Sequence, residues 1–314
     1  MPWLKVASNV FDNQVARWDN ATCNGGLRWQ IFTFNNGYNY KNSATNSNFF
    51  QLAARLARLT GNQTFSDWAE ASYRWMEQSG FIKDNGRVVD GADVTNNCTS
   101  VNNIEWSSNS GILLSGAAVM YNTTKGAQVW RDRINKVLNH STTVFFKDGV
   151  MQETACETNG KCDSYQRFFK GLYAINLART VQAAPFTNQT ITTLLKKTAP
   201  AAAAGCDDSG ASCQLGWIPG GTAGPKDMGA QFSVLQAVQS NLLVSSKGVT
   251  SQNQNTSTGG GSSNGNGNGN GNGNGTSNGS NGGTTSGAMA THLGGSVWKS
   301  LPGAILCTLL FGVL

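Results

Sequence analysis

The chain has 314 residues, a formal net charge of +6 and only 13% charged residues. Its basic residues are scattered rather than gathered into a stripe, which excludes the electrostatic footprint of a nucleic-acid-binding protein. His140 lies inside a glycosylation motif and His292 lies near the C-terminus. The sequence therefore excludes histidine-based triads and most zinc sites, and it predicts neither a metal nor another cofactor.

Apolar residues recur at helical spacing through the first 245 residues. In residues 48–60 leucines share one face, and Gly61 follows as a predicted C-cap. Thr64 and Asp67 have the spacing of a capping box and are expected to open the next helix. The predicted helices, in chain order, lie near 3–18, 48–60, 64–75, 105–121, 126–140, 164–183, 188–204 and 226–243.

Two further signals complete this pattern. Pro200 is expected to break or kink its helix near the C-terminal end. Strand signals are confined to short pieces at residues 145–146 and 150–151. Eight helices joined as hairpins predict an all-α domain over residues 1–245.

Residues 23–42, CNGGLRWQIFTFNNGYNYKN, have no helical or alternating period and predict an ordered loop. The segment crowds five aromatic residues against asparagines and cationic side chains. Flat aromatic faces beside amide and cationic donors suit sugars, which have apolar C–H faces rimmed by hydroxyls. The alternative is that Trp29, Ile31 and Phe32 are core anchors, and this is expected for about half of them.

The C-terminal quarter has a different composition. Residues 250–285 are almost wholly Gly, Asn, Ser and Thr, so residues 246–288 are predicted to be a flexible tether. The apolar run Leu301–Leu314 is too short for a transmembrane helix. Small residues beginning at Ser286, a short spacer and this run have the form of a glycosylphosphatidylinositol (GPI) anchor signal over residues 289–314, with Ser286 as the lipidated residue.

Six cysteines remain when Cys307 in the tail is set aside, and six cysteines allow 15 disulfide connectivities. An even cysteine count together with glycosylation motifs indicates the secretory pathway. The short spacings favour two local bridges and one long bridge, which pair Cys156 with Cys162, Cys206 with Cys213 and Cys23 with Cys98. The predicted glycosylated residues in the helical part are Asn20, Asn62, Asn97, Asn122, Asn139 and Asn188.

The N-terminus lacks the charged and apolar regions of a signal peptide. Because an anchor signal requires an entry signal, we expect this sequence to start partway into a longer protein.

Residues 23–42, together with AARLARLTGNQT at 53–64 and VDGA at 89–92, resemble glycoside hydrolase family 76. The similarity is strongest to the fungal, lipid-anchored endo-1,6-α-mannosidases of the cell wall, and it covers roughly residues 3–243. It implies an (α/α)6 barrel, of which about eight of twelve helices are present, with the missing ones expected on the N-terminal side. It also implies action on α-1,6-linked mannose.

Without histidine, a hydrolase of this kind must use carboxylates. The family's adjacent Asp-Asp motif has no counterpart in this sequence. The pair Asp207-Asp208 has a Gly/Ser context and is interpreted as a surface turn. Asp90 and Glu105 are the fallback catalytic candidates, although capping or a surface position is the preferred interpretation of Glu105 and of Asp93.

The candidate substrate-binding residues come from the aromatic loop and from two other motifs that match the family. For Lys170, as for Arg167, pairing with helix acids is the alternative. The candidates are Arg28, Trp29, Asn36, Tyr38, Lys41, Asp90 and Lys170.

Three functions remain open. The first is a cell-surface hydrolase or transglycosidase that acts on α-1,6-mannan, anchored to the plasma membrane or cell wall. The second is a catalytically inactive mannan-binding paralogue, and the third is a structural cell-wall glycoprotein. The expected partners are mannose-containing wall glycans and, through the GPI anchor, a membrane.

Overall fold

The computed structural model describes residues 2–245, and these residues form a helical domain built from two layers of helices. α2, α4, α6 and α8 pack side by side in that order, while α3 packs on α2, α5 on α4 and α7 on α8. The helices are α1 (Pro2–Val15), α2 (Ser43–Thr60), α3 (Gln63–Gln78), α4 (Ser107–Thr123), α5 (Gln128–Val144), α6 (Phe169–Ala183), α7 (Asn188–Ala203) and α8 (Met228–Ser245). All eight predicted helices are present, and the all-α prediction is confirmed.

α4 is the central helix of the inner layer, and all but its last few residues are buried. Two glycines permit its neighbours to approach closely. A Cβ on Gly116 would lie 2.6 Å from the Phe50 ring of α2, and one on Gly111 would lie 2.8 Å from the Tyr173 ring of α6. These contacts let three helices pack around one core.

The helix ends confirm one local prediction and correct another. Gly61 ends α2 in the left-handed conformation, with φ of 68°, as predicted. α3 is not opened by Thr64, because its N-cap is Asn62, whose side chain accepts a hydrogen bond from the Thr64 backbone N–H. α7 continues through Pro200 to Ala203, so the proline does not end the helix where it occurs.

A three-stranded antiparallel sheet was not predicted from the sequence. β1 (Tyr40–Asn42), β2 (Val89–Asp93) and β3 (Val101–Glu105) pair in the order β1-β2-β3. The strands are short and carry polar residues, so they lack the alternating apolar pattern that indicates a strand. The predicted strands at 145–146 and 150–151 correspond to the small hairpin of β4 (Phe146–Lys147) and β5 (Val150–Met151).

The three disulfides have the predicted connectivity. Cys156 pairs with Cys162 and Cys206 with Cys213, each closing a short loop. The Cys23–Cys98 bond spans 75 residues and joins the start of the aromatic loop to the connection between β2 and β3. It therefore fixes the loop beside the sheet.

The six candidate glycosylation asparagines in the helical part are all exposed, as attachment of a glycan requires. Within residues 2–245, no helix is both long enough and apolar enough to cross a bilayer. The predicted tether and anchor signal, including Ser286, lie outside the described residues.

Candidate carbohydrate-binding site

A cavity of about 320 Å³ lies where the N-terminal ends of three inner helices meet the sheet. Five aromatic side chains line it, and only one acidic side chain, that of Asp90, does so. The lining residues are Trp29, Tyr40, Asn42, Ala44, Asn48, Asp90, Trp106, Ser108, Asn109, Ile112, Tyr165, Phe169 and Leu172. Apolar walls with a few convergent polar groups are typical of a small-ligand site.

Asp90 accepts three hydrogen bonds from neutral donors. The Tyr40 hydroxyl donates at 2.7 Å and the Asn102 amide at 3.2 Å to one carboxylate oxygen, and the Trp106 indole N–H donates at 3.1 Å to the other. Burial raises the pKa of Asp90, although these three bonds act in the opposite direction. No cationic side chain of the described chain forms an ion pair with Asp90. Its carboxylate is thus a half-buried charge without a counter-ion.

A second, more open depression of about 390 Å³ shares Trp29 and Tyr40 with the cavity. Asn36 and Tyr38 also line it, so three of the predicted substrate-binding residues lie at this second depression and Asp90 lies at the first. Of the three side chains for which a core position was the alternative, Ile31 and Phe32 are exposed and Trp29 is half-buried.

Arg28 supports the aromatic loop from its base. Its guanidinium pairs with Asp19 at 3.0 Å, donates to the Asn39 side chain at 3.1 Å and lies 4.7 Å from the centre of the Tyr38 ring. The guanidinium is therefore engaged by the protein and orients Tyr38.

Lys41 does not face either depression, contrary to the prediction that it binds substrate. Its side chain is fully buried, and its ammonium donates to the backbone carbonyls of Asp19, Thr22 and Gly25 at 3.0, 2.7 and 2.6 Å. These three bonds use all of its donors. Lys41 therefore holds together the turn that precedes the aromatic loop.

Lys170 is likewise structural rather than a binding residue. It is 1% exposed, pairs with Glu157 at 3.0 Å and donates to the Leu215 carbonyl at 2.6 Å. Burial lowers its pKa, while the Glu157 carboxylate acts in the opposite direction. Arg167 also forms a protein contact, an ion pair with Asp227.

Glu105 does not line the cavity, which removes it as a partner for Asp90 in catalysis. It ends β3 and pairs with Arg87 at 2.9 Å and with His140 at 2.6 Å. The carboxylate at the start of α4 is that of Glu153, which accepts hydrogen bonds from the Ser107 backbone N–H and hydroxyl. Burial raises the pKa of Glu153 to about 8, against the lowering effect of these bonds.

The remaining acidic candidates are turn residues. Asp207 is exposed and accepts hydrogen bonds from Ser209 and from the backbone of Ala211, as expected for a surface turn. Asp93 accepts from the backbone and hydroxyl of Thr95 and so stabilises the short turn after β2. No cluster of metal-ligating side chains occurs within residues 2–245.

Sequence reasoning did not select several residues of the cavity wall. A run of small polar residues, Ser107 to Ser110, begins the otherwise apolar helix α4, and such a run at the start of a buried helix was an available signal. Tyr165 and Phe169 reach the cavity from the segment before α6 and from its first residue, beside the motif from which Lys170 was selected. The unselected lining residues are Tyr40, Asn42, Ala44, Asn48, Trp106, Ser108, Asn109, Ile112, Tyr165, Phe169 and Leu172.

Paired helix layers with an aromatic, carboxylate-bearing cavity at the helix N-termini form a small-ligand site in a domain of the paired (α/α) class. The chain belongs to glycosyl hydrolase family 76, whose family model matches residues 1–253.

Two fungal proteins are similar to this chain along most of its length. The mannan endo-1,6-alpha-mannosidase DFG5 of Saccharomyces cerevisiae is 40% identical over 308 residues, which is 94% of this chain and 67% of that protein. The crystal structure of Dfg5 from Chaetomium thermophilum in complex with glucosamine has a TM-score of 0.69 and 40% identity, and the match covers 74% of this chain and 59% of that one. This chain thus spans about three fifths to two thirds of these relatives.

A bacterial family member shares the fold at lower identity. An inactive variant of the alpha-1,6-mannanase GH76A of Salegentibacter sp. HEL1_6, solved with alpha-1,6-mannotriose, has a TM-score of 0.62 and 18% identity over 76% of this chain and 69% of that one. In that variant two adjacent aspartates are replaced by asparagine. The fold class is accordingly the (α/α)6 barrel, with eight helices in the described residues.

Proposed function

We propose that this chain binds α-1,6-linked mannose in the cavity around Asp90, as part of a cell-wall glycosidase or transglycosidase of the mannan endo-1,6-α-mannosidase type. The observation that carries the proposal is the half-buried Asp90 carboxylate within an aromatic-walled cavity. Sugar C–H faces would stack on the aromatic rings, and a hydroxyl would donate to the Asp90 oxygen that receives only the Trp106 bond. The names of the similar fungal proteins support the same substrate class.

Glycosidic cleavage needs two carboxylates held about 5–10 Å apart across the bond. Asp90 is the only acidic residue that lines the cavity in the described part of the chain. In this proposal residues 2–245 supply the sugar-binding side of the site, and cleavage requires a second carboxylate in addition to Asp90. The alternative function is that of a mannan-binding paralogue without activity, and the presence of a single carboxylate at the cavity favours it.

An amino sugar is a second candidate ligand. Among residues 2–245 no cationic side chain pairs with Asp90, and the aromatic walls that surround it favour a cation over their faces. A protonated sugar amine would supply the missing counter-ion. The Chaetomium relative crystallised with glucosamine is consistent with this ligand class.

Calorimetric titration of the purified chain with α-1,6-mannotriose, with α-1,4-linked glucotriose as control, tests the binding proposal. We expect selective binding of the mannotriose; equal or absent binding would contradict the proposal. A parallel titration with glucosamine and N-acetylglucosamine shows whether the site requires a positively charged ligand, because acetylation removes the charge of the amine.

Cleavage is tested separately by release of reducing ends from α-1,6-mannan. We expect little or none from the chain of residues 1–314. Comparable cleavage by this chain and by a version extended upstream to include an Asp-Asp motif would overturn the assignment of roles.

Cell-surface attachment is part of the proposal and rests on the composition of residues 246–314. Phosphatidylinositol-specific phospholipase should release the protein, expressed behind an added secretion signal, from fungal membranes. Its retention there while a known GPI-anchored control is released would contradict a lipid anchor at Ser286.

A further inference from the structure

The aromatic loop ends in a protruding apolar tip, made of Ile31, Phe32 and Phe34. These side chains are 57%, 55% and 80% exposed. The two phenyl rings stack with their centres 5.3 Å apart and an angle of 7° between their planes. None of the three residues lines the cavity or the second depression. The proposed sugar site therefore does not account for them.

The backbone holds this tip away from the domain core. The two ends of the loop are paired by an antiparallel bridge between Arg28 and Lys41. Next to this bridge, the Trp29 backbone N–H donates to the Tyr40 carbonyl at 2.7 Å. Beyond that bond, the backbone N–H of Asn35 donates to the Phe32 carbonyl at 3.1 Å, which forms a tight turn. The exposure of the tip is thus set by a hydrogen-bonded loop.

The residue types change in a fixed order from the base of the loop to its tip. The partly exposed guanidinium of Arg28 stands at the base, Trp29 and Tyr40 come next, and the apolar side chains of the tip, interrupted by Thr33, lie beyond them. No charged residue occurs from Trp29 to Tyr40. A bilayer has the same order of preferences: water for charges, the interface for Trp and Tyr, and hydrocarbon for Ile and Phe.

We propose that the tip formed by Ile31, Phe32 and Phe34 inserts into the interface of a lipid bilayer and docks the domain on a membrane surface. A phospholipid surface fits better than a glycan, because the tip offers a sugar few polar groups beside the rings, whereas the neighbouring depression is rich in asparagine amides. Docking by the tip is independent of sugar binding and of any lipid attached at the C-terminus.

A fluorescent label at the tip tests the proposal in the full chain. Cys307→Ser leaves the six disulfide cysteines as the only native ones, and Thr33→Cys then places an NBD fluorophore between the two phenylalanines. A matched protein carries the label at Lys196→Cys, on the exposed side of α7. On addition of phosphatidylcholine vesicles, we expect the emission at position 33 to rise and shift to the blue, while the emission at position 196 stays unchanged.

The double substitution Phe32→Ser/Phe34→Ser should lower the vesicle partition coefficient measured by this signal by about tenfold or more, because it removes the apolar surface of both phenyl rings from the tip. Leu59→Ser/Leu242→Ser removes two apolar side chains of comparable exposure elsewhere and should leave the coefficient unchanged. Phe34→Ser alone, which changes the loop less, should lower the partition coefficient by a smaller factor.

Three results would overturn the proposal. The first is an unchanged signal at position 33 when the protein sediments with vesicles, which would assign membrane binding to the C-terminal residues. The second is weakened binding of α-1,6-mannan oligosaccharide by the Phe32→Ser/Phe34→Ser protein without vesicles, which would assign the tip to a glycan. The third is a shift that depends on protein concentration alone, which would assign the tip to self-association.

Discussion

The Tyr40 hydroxyl donates a 2.7 Å hydrogen bond to the Asp90 carboxylate, and this bond joins the end of the aromatic loop to the middle strand of the sheet. Burial and the neighbouring Asp90 charge raise the pKa of Tyr40 above its ordinary value, so the phenol stays a donor across the physiological range. The same carboxylate therefore orders the loop and presents a lone pair to the cavity.

Replacement of Asp90 by asparagine should separate binding from stability. The amide side chain of the variant cannot accept hydrogen bonds from all three donors. One broken hydrogen bond lowers the free energy of unfolding by about 1 kcal/mol, and removal of the buried charge offsets this loss. We expect the free energy of unfolding to change by less than about 2 kcal/mol, while affinity for α-1,6-mannotriose falls about 10- to 100-fold through loss of a charge-assisted bond.

Calorimetry and chemical denaturation measure these two effects of Asp90→Asn. Asp132→Asn, on the exposed face of α5, is the matched control and should change neither quantity. An Asp90→Asn protein that binds with unchanged affinity would exclude the carboxylate from the sugar site.

Binding through ionised Asp90 should also depend on pH. Because the folded-state pKa of Asp90 is raised, the carboxylate is protonated at a higher pH than an exposed aspartate. Affinity should therefore fall as the pH decreases through that raised pKa, and the wild-type and Asp90→Asn affinities should converge at low pH. Parallel pH profiles for the two proteins would contradict this prediction.

Trp29→Ala and Tyr38→Ala should weaken binding of α-1,6-mannan more than they destabilise the fold. Both side chains are half-buried at a depression, whereas truncation of a core aromatic costs about 3–5 kcal/mol of stability. Affinity electrophoresis in mannan and thermal melting measure the two effects. A large fall in melting temperature, with normal binding by the remaining folded protein, would identify these residues as core anchors.

Lys41→Met should destabilise the protein by about 2–5 kcal/mol, because it leaves one buried and two partly buried carbonyls without their shared donor. Lys147→Met, at an exposed position of β4, is the control and should have little effect. Denaturant titration measures the difference. A stable Lys41→Met protein with weakened mannan binding would restore the role in binding that the sequence suggested.

Glu153→Gln should change how stability depends on pH. The folded-state pKa of about 8 lies above the ordinary value of 4.5, so the folded protein binds this proton more tightly than the unfolded chain does. The stability that this group contributes is full below pH 4.5 and declines as the pH rises towards 8.

The glutamine variant lacks this titration, and its stability relative to wild type should rise between about pH 5 and 8, by a few kcal/mol at most, since one pKa unit corresponds to about 1.4 kcal/mol. Denaturant titrations of both proteins at the two ends of that pH range measure the change. A pH-independent difference between the two proteins would show that Glu153 titrates normally.

The amino-acid sequence by itself determined the eight helices, the disulfide pairs and the family, because helical periodicity, cysteine spacing and a long motif are local properties of the chain. It also directed attention to Trp29, Tyr38 and Asp90, all of which lie at a depression. The sheet escaped prediction because its strands are short and are stabilised by pairing between segments about 50 residues apart.

Only the tertiary structure decided which charged residues face solvent. In the sequence Lys41 and Lys170 lie in motifs that suggest ligand binding. In the structure each is buried against carbonyls that come from distant turns. Whether an ammonium meets a ligand or a buried carbonyl depends on the path of those turns, since desolvation of the charge must be compensated by whichever acceptors the fold supplies. No local sequence pattern encodes the path of those turns. The packing of the loops, rather than the residue types, therefore places Asp90 at the cavity and the two lysines in the interior.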